Sequence, residues 1–286
     1  MSSPTVSVLM TAYNREEFIA EAIESVLASD FTDFELIIVD DCSKDSTREI
    51  INKYAIKDDR IKFYKNEKNL GDYPNRNMAA SYATGKYIQF VDSDDMLKKD
   101  GLRYTVENMK NNEFADFGIY YENIIPGSSL LTPNESIQKH FFSKSFLQIG
   151  PGATILKRSF FEKIGKYPTE YGPANDNYFN LLAASSGNIL LLKEEFFFYR
   201  IHDGQEKNNH YSYLINYYRY LRDALLFVPM QLSVSQKKWI DKKNKRRFSV
   251  NIIRYYLKTL NLKKTTFAIK SSQFKIKDFI EGIFHI

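Results

Sequence analysis

Over residues 6–111 the chain alternates between short apolar runs and longer segments in which apolar residues recur at helical spacing. The apolar runs cover 6–10, 35–39, 61–64 and 86–91, and the helical segments cover 16–29, 45–55, 74–83 and 97–111. Short strands alternating with amphipathic helices are typical of a mostly parallel sheet covered by helices on both faces. The pattern therefore predicts an α/β fold.

Three of the apolar runs end in polar residues. The sequence Thr11-Ala12-Tyr13-Asn14 follows the first run, Asp40-Asp41 the second, and Asp92-Ser93-Asp94-Asp95 the fourth. Open α/β sheets bind ligands outside the carboxyl ends of their strands. We therefore expect the three polar segments to line one crevice.

The acidic segment Asp92-Ser93-Asp94-Asp95 carries the clearest chemical signal. Neighbouring carboxylates repel each other, and a hard divalent cation such as Mn²⁺ or Mg²⁺ relieves that repulsion because it prefers oxygen ligands. The alternative is an Asp-rich helix N-terminus, which the helix dipole would stabilise. The position at the end of an apolar run favours a metal site, with Asp92, Asp94 and Asp95 as candidate ligands.

Residues near the strand ends also suit a nucleotide. Tyr13 offers an aromatic face for a nucleobase, and Asp41 can accept hydrogen bonds from a ribose or a base edge. Arg76, in Asn75-Arg76-Asn77, can contact a base or a diphosphate. A surface aromatic, a helix cap and a solvated charge remain the alternatives.

Three residues late in the chain are further candidates. Asp176 lies at a predicted helix start and could take the proton from an attacking hydroxyl, although position alone favours a helix N-cap. Arg200 and His202 could bind phosphate or metal, whereas a lone histidine is more often structural.

Taken together, these segments resemble the family 2 glycosyltransferases of the GT-A fold. The matching stretches are 6–14, 35–47, 69–71 with 76–77, and 85–95, in that order, and the resemblance covers roughly residues 4–203. It implies a Rossmann-like mixed sheet flanked by helices, with a helical C-terminal extension. It also implies a divalent metal cofactor.

The resemblance assigns a role to each candidate. Asp92 and Asp94 look like the DxD pair of the family, which touches the ribose and the metal, and Asp176 looks like the catalytic base. This chain has Asn175 where the family usually has Glu, and Cys42 where Gly or Asn is more frequent. The donor-binding residues implied by the resemblance are Thr11, Tyr13, Asp41, Arg76, Asp92, Arg200 and His202.

The implied reaction is transfer of one sugar, with inversion, from a nucleoside-diphosphate sugar of the UDP type to a hydroxyl acceptor. The acceptor would be a glycan or a lipid-linked glycan in bacterial cell-surface polysaccharide or glycoconjugate synthesis. Processive members carry Gln-x-x-Arg-Trp and transmembrane helices. The single tryptophan, Trp239, follows Gln236-Lys237-Lys238, which is a different sequence.

Other functions remain as alternatives. A phosphatase of the haloacid dehalogenase type also uses Asp-x-Asp, but after the first strand of its domain. A non-catalytic nucleotide-sugar-binding module on the same fold is the other alternative. A dinucleotide-dependent oxidoreductase is disfavoured because no Gly-x-Gly-x-x-Gly follows the first strand.

Charge and pattern predict two domains. We expect a GT-A domain over 1–205, with a donor half at 1–112 and an acceptor half at 113–205, and a basic helical extension over 206–286. Residues 235–286 contain 14 Lys and Arg against 3 Asp and Glu, a net charge of +11, so the remainder carries −6. A basic tail suggests an anionic membrane surface rather than nucleic acid.

The tail also has an apolar stripe, formed by Phe248, Ile252, Tyr255, Tyr256 and Leu260. The alternative to membrane binding is that this stripe packs on the protein or forms a homodimer contact. One cysteine, no apparent signal peptide and no apolar run of roughly 18 residues predict a cytoplasmic location, with peripheral attachment to the inner face of the cell membrane.

Overall fold

The computed structural model describes residues 3–122, 129–202, 205 and 209–284. The chain forms two compact units. The first comprises Met1–Ser136, Ile149–Tyr167 and Ser186–Ile201, and the second comprises Ile137–Gln148, Pro168–Ser185 and His202–Ile286. The predicted boundary at 205/206 thus lies near one division, but 137–148 and 168–185 belong with the C-terminal helices.

The strands fall into one large sheet and one short ribbon. They are β1 Val6–Ala12, β2 Phe34–Asp40, β3 Ile61–Lys65, β4 Tyr87–Phe90, β5 Met96–Leu97, β6 Phe117–Tyr120, β7 Leu130–Leu131, β8 Thr154–Lys157, β9 Ile189–Leu192 and β10 Phe197–Phe198. The sheet order is β3-β2-β1-β4-β8-β6-β9-β7, and β5 pairs with β10. Strands β1 to β4 are parallel, whereas β8 is antiparallel to both of its neighbours. The predicted mixed α/β sheet is confirmed.

The helices occupy the segments between the strands and the C-terminal region. They are α1 Ile19–Leu27, α2 Thr47–Ala55, α3 Asp72–Tyr82, α4 Gly101–Asn111, α5 Pro133–Phe142, α6 Arg158–Ile164, α7 Asn175–Ser186, α8 His210–Phe227, α9 Val234–Thr259, α10 Leu262–Ser271 and α11 Ile276–Phe284. Short 3₁₀ turns precede β8 and α7, at Pro151–Ala153 and Gly172–Ala174.

Strand β1 is central in the donor half of the sheet. Its apolar residues are buried against both neighbouring strands, as expected for a parallel sheet covered on both faces. The register pairs Thr11 with Val39 and Ala12 with Asp40, and the Val91 N–H donates to the Leu9 carbonyl. The polar segments that follow β1, β2 and β4 therefore lie at the same edge of the sheet.

The ribbon formed by β5 and β10 was not anticipated from the sequence, in which residues 97–111 read as one helix. Leu97 pairs with Phe197, and the Lys98 N–H donates to the Phe196 carbonyl, so α4 begins only at Gly101. Because Phe198 pairs with Met96, the ribbon brings Arg200 beside Asp94 and Asp95.

The second unit is helical. Part of the predicted apolar stripe of the tail is buried in the core of this unit, and part is exposed. Phe248 and Ile252 are buried with Ile215 and Tyr218, whereas Leu260 is 73% exposed. The packing alternative is therefore correct for part of the stripe. Within the described residues, no helix combines the length and hydropathy needed to cross a membrane.

Candidate active site

The polar strand ends of the first unit meet as the sequence predicts. Tyr13 follows β1 with 41% of its surface exposed, and Thr11 on the same strand is half-buried. Asp41 follows β2, and Asp92, Asp94 and Asp95 follow β4. An exposed ring at the same sheet edge as buried and half-buried carboxylates is an arrangement that can accept a polar ligand with a flat base.

Asp41 organises the loop beside this edge. Its Oδ1 accepts hydrogen bonds from the Asn66 side chain and the Leu70 N–H, both at 2.8 Å, and its Oδ2 accepts one from the Gly71 N–H at 2.9 Å. The Asn66 amide also donates to Asn75 Oδ1 at 2.9 Å. Asp41 is 2% exposed, so its clearest role in this structure is to fix the loop at 66–71.

The backbone of the neighbouring turn shows why Gly or Asn is favoured at position 42. Cys42 adopts a left-handed backbone with φ +66°, a conformation that favours Gly or Asn because they tolerate it with little steric cost. Asp40 is fully buried, and its Oδ2 accepts from the Ser43 N–H and from Arg48 Nε, the latter at 2.6 Å. Asp40 is thus a structural anchor of the turn.

Arg76 is buried and paired with Asp92. Its Nη1 lies 2.7 Å from Asp92 Oδ1, and its Nε donates to Asp72 Oδ1 at 2.8 Å. Removal from water, the largest influence, and the neighbouring Asp94 raise the pKa of Asp92, although Arg76 opposes the shift. Arg76 thus holds Asp92 in place. The other carboxylate oxygen of Asp92, Oδ2, faces Gly152, where an added Cβ would lie 3.5 Å away.

Asp94 and Asp95 share the turn but have different partners. Arg15 Nε lies 3.3 Å from Asp94 Oδ2, whereas Asp95 Oδ1 accepts the Arg200 N–H at 2.9 Å. Burial, with a contribution from Asp92, raises the pKa of Asp95 to about 7. Arg200 also donates from Nε to the Asp94 carbonyl at 2.9 Å, so it fastens the turn to the ribbon.

The three aspartates do not form one ligand set. Within the described residues, no group of three or more His, Cys, Asp or Glu side chains converges as a metal site. The donors nevertheless fit a hard divalent cation that takes one or two protein carboxylates and completes its shell with phosphate oxygens and water. Asp94 and Asp92 are half-buried and fit that description, whereas Asp95 is buried and its Oδ1 accepts the Arg200 N–H.

Two predicted residues lie in the second unit. Asp176 is half-buried in the first turn of α7, where its Oδ1 accepts the Asn177 N–H at 2.6 Å and the Asn177 side-chain amide at 2.8 Å. It lies inside the helix rather than at its N-cap. His202 is half-buried, and its N–H donates to Gln205 Oε1 at 3.2 Å.

Sequence reasoning missed Arg15, Asn66 and Gly152. Arg15 directly follows Tyr13 and Asn14, so its place in the polar strand end was an available signal. Asn66 and Gly152 carried no such signal, because their contacts with Asp41 and Asp92 join distant parts of the sequence.

The sequence pattern described as "Glycosyl transferase family 2" matches residues 7–165. This span runs from β1 through the end of α6 and contains the whole acidic turn. The chain belongs to this family. The match shows the family and not the role of any single residue, so all the site assignments stay predictions, and Asp176, Arg200 and His202 lie outside the matched span.

The family 2 chain also resembles individual proteins. It is 34% identical over 157 residues to the UDP-Glc:alpha-D-GlcNAc-diphosphoundecaprenol beta-1,3-glucosyltransferase WfgD of Escherichia coli. The aligned region covers 54% of this chain and 60% of WfgD. The chain spans about half the length of the curated relatives it matches.

Two solved structures share its fold. The first is S. aureus TarS 1–349 in complex with UDP-GlcNAc, with a TM-score of 0.73 and 24% identity over 98% of this chain and 81% of that one. The second is the mannosyltransferase PcManGT of Pyrobaculum calidifontis in complex with GDP-Man and Mn²⁺, with a TM-score of 0.64 and 14% identity over 99% and 88%. At these identities the likeness shows the GT-A fold alone.

Proposed function

We propose that this family 2 chain transfers one sugar, with inversion, from a UDP-sugar to a hydroxyl group of a glycan acceptor. The observation that carries the proposal is the acidic turn after β4, which lies at the same sheet edge as the exposed ring of Tyr13. A donor site needs a face for the base and charge control at the diphosphate, and these residues supply both.

The donor would lie along the sheet edge of the first unit. Tyr13 would stack on the base, while Thr11 and the loop held by Asp41 would border the base and ribose. Asp94, with Asp92 fixed by Arg76, would hold a divalent metal, Mn²⁺ or Mg²⁺. When bound, the cation would neutralise the charge that develops on the leaving diphosphate. Arg200 and His202 would complete the diphosphate side.

Asp176 would be the general base. Inversion requires that the acceptor hydroxyl loses its proton as it attacks the anomeric carbon, and a carboxylate can accept that proton. Asp176 lies in the first turn of α7, at the positive end of the helix, and its Oδ1 accepts two hydrogen bonds from Asn177. The transferred proton would reside on its carboxylate.

The relatives support the substrate classes without determining them. WfgD is named as using UDP-Glc and a lipid-diphosphate acceptor, and TarS was crystallised with UDP-GlcNAc. A UDP-sugar donor and a lipid-linked glycan acceptor, in bacterial cell-surface glycoconjugate synthesis, are therefore part of the proposal. The Mn²⁺ in PcManGT supports the choice of metal.

A lipid-linked acceptor would bring the protein to an anionic leaflet, and α9 offers a surface for it. Ile253, Tyr256, Leu257 and Leu260 share one exposed face of the helix, flanked by exposed cations. We call this set the tail surface, with Arg254, Lys258, Lys263 and Lys264 as its cations. Apolar side chains ringed by Lys and Arg suit a membrane interface on the cytoplasmic side.

Nucleotide release from a panel of nucleotide sugars, with and without Mn²⁺, tests the proposed function. Mn²⁺-dependent UDP release from a UDP-sugar supports it. Donor binding without turnover would instead show a binding module, and release of inorganic phosphate would show a phosphatase.

A further inference from the structure

An open cleft of about 320 Å³ in the second unit is lined by residues of α8 and α9, four of which are tyrosines. Its lining includes Tyr213, Tyr217, Tyr255, Arg247 and Asn251. A volume of this size falls within the range of small-molecule sites, about 300–1,000 Å³. The predicted donor and metal residues lie in the first unit, apart from His202, and none of these residues lines the cleft.

The cleft combines aromatic faces with hydrogen-bonding groups. The rings of Tyr213 and Tyr217 are half-buried, with centroids 5.3 Å apart and planes inclined at 48°. Arg247 is fixed beside them, since its Nη2 donates to Asn244 Oδ1 at 3.1 Å and to the Tyr217 carbonyl at 3.3 Å. The side chain of Asn251 is exposed.

This combination matches the chemistry of a sugar ring. The C–H faces of a pyranose are apolar and pack on aromatic rings, whereas its edge hydroxyls need hydrogen-bond partners. A lipid chain would have no use for the guanidinium and amide groups, whose desolvation it could not compensate. The tyrosine hydroxyls, Arg247 and Asn251 therefore favour a carbohydrate.

The cleft is connected to the proposed base. Helix α8, which forms one wall of the cleft, packs against the turn that precedes α7, since a Cβ on Gly172 would lie 2.8 Å from the Asn216 side chain and 3.4 Å from Ser212 Oγ. Asp176 lies four residues after Gly172, where its Oδ1 accepts the Asn177 side-chain amide at 2.8 Å. The cleft wall and the turn that carries Asp176 are therefore in contact.

We propose that this cleft binds an internal sugar residue of the acceptor glycan, next to the residue whose hydroxyl is glycosylated. The inference rests on the proposed function, because it takes Asp176 as the base that the acceptor approaches. Binding at the cleft would hold the glycan while its reacting hydroxyl lies at Asp176, which lowers the entropic cost of the transfer step.

Ligand-detected saturation-transfer NMR on the full chain tests the proposal, with glucose and N-acetylglucosamine oligosaccharides of two to four residues as probes. We expect saturation transfer to these probes and an affinity that falls about five- to tenfold in Tyr213→Ala, the loss expected for one aromatic contact. Tyr213→Phe should retain binding because it keeps the ring. Phe267→Ala removes an exposed aromatic outside the cleft and serves as the matched control.

Donor turnover is measured separately, so that the two proposals can fail independently. Asp94→Ala should lose UDP release and retain oligosaccharide binding. Wild-type protein that binds oligosaccharides but releases no UDP would refute the proposed function and leave the cleft as a glycan site. Equal affinities of wild type and Tyr213→Ala, no binding of any probe, or occupation of the cleft by farnesyl phosphate instead would overturn the cleft proposal.

Discussion

Adjacent aspartates in the acidic turn have different environments, which residue types alone do not reveal. Asp92 is paired with buried Arg76, Asp94 with Arg15, and Asp95 with the Arg200 backbone. The sequence identified the cluster because four polar residues follow a buried strand. It could not separate their roles, because each partner comes from a different part of the chain.

We expect Asp94 to be the carboxylate that holds the divalent metal on which donor binding depends. We expect Asp94→Ala to abolish transfer and to remove the Mn²⁺-dependent part of UDP affinity, measured by calorimetry with and without Mn²⁺. Asp95→Asn is the matched control, since Asp95 is committed to the Arg200 N–H, and it should keep the metal dependence. If UDP binds Asp94→Ala with unchanged Mn²⁺ dependence, the metal assignment is wrong.

Asp176→Asn should lower kcat by about 10²- to 10⁴-fold while donor affinity stays the same, because it removes the proton acceptor and little else. Single-turnover transfer and UDP calorimetry measure the two quantities. Glu170→Gln removes an exposed carboxylate from the same segment and should leave kcat unchanged. Normal turnover by Asp176→Asn would mean that another residue is the base.

The pair of Arg76 and Asp92 should also be visible in stability. Arg76→Met leaves the carboxylates of Asp92 and Asp72 without their partner, and we expect a loss of about 2–4 kcal/mol in the free energy of unfolding in urea. The double variant Arg76→Met/Asp92→Asn should recover part of that loss. Strictly additive effects in the cycle would show that the two side chains do not interact.

At the scale of elements, the apolar runs located most of the sheet. The runs at 6–10 and 35–39 lie inside β1 and β2, and the run at 86–91 contains β4. These strands could be predicted because burial on both faces leaves a continuous apolar run. The ribbon of β5 and β10 could not, because two-residue strands joined across about a hundred positions have no local period.

A buried histidine holds the segment that follows α5 in place, and the sequence analysis assigned no structure to this segment. His140 lies in the last turn of α5, and its Nδ1 accepts hydrogen bonds from the N–H groups of Phe146 at 3.4 Å and Leu147 at 3.2 Å, with Ser145 Oγ at 3.2 Å. The neutral ring with Nε2 protonated fits this pattern. Burial lowers the pKa of His140 to about 4.

The shift makes stability depend on pH. The unfolded chain binds a proton at His140 below about pH 6.5, whereas the folded chain does so only below about pH 4. The stability that neutral His140 contributes to the folded state is therefore fully present above pH 6.5 and is lost as the pH falls towards 4. Between pH 7 and pH 5 the loss should be about 2 kcal/mol. Urea unfolding at both values should show a smaller loss for His140→Gln, and an equal loss would refute the assignment.

At the scale of the whole molecule, chain order and structural units do not coincide. Residues 137–148 and 168–185 join the C-terminal helices through contacts such as the Gln236 side chain donating to Gln138 Oε1 at 2.9 Å and the Tyr171 hydroxyl donating to Asp223 Oδ2 at 3.2 Å. The charge asymmetry suggested a separate tail but could not show which earlier segments pack with it. The predicted base, Asp176, consequently belongs to the unit that carries the basic helices.

The same division determines how membrane binding can be tested. A truncation after Ser233 would remove Phe248, Ile252 and Phe274 from the core of the second unit and so would unfold it. Point substitutions on the tail surface avoid this problem. Leu260 has a left-handed backbone with φ +50°, which Asn tolerates, and Leu257 is 67% exposed.

We expect the full chain to sediment with phosphatidylglycerol vesicles at low salt and to be released at high salt, because each cation near an anionic leaflet contributes about 1 kcal/mol. Leu257→Asn/Leu260→Asn should reduce sedimentation without lowering thermal stability, since both side chains are largely outside the core. Ile56→Glu changes an equally exposed apolar residue of the first unit and should bind as wild type does.

A full-length protein that stays in the supernatant at low salt would contradict membrane binding. Concentration-dependent dimerisation that the double variant abolishes would instead assign the tail surface to a second copy of the chain.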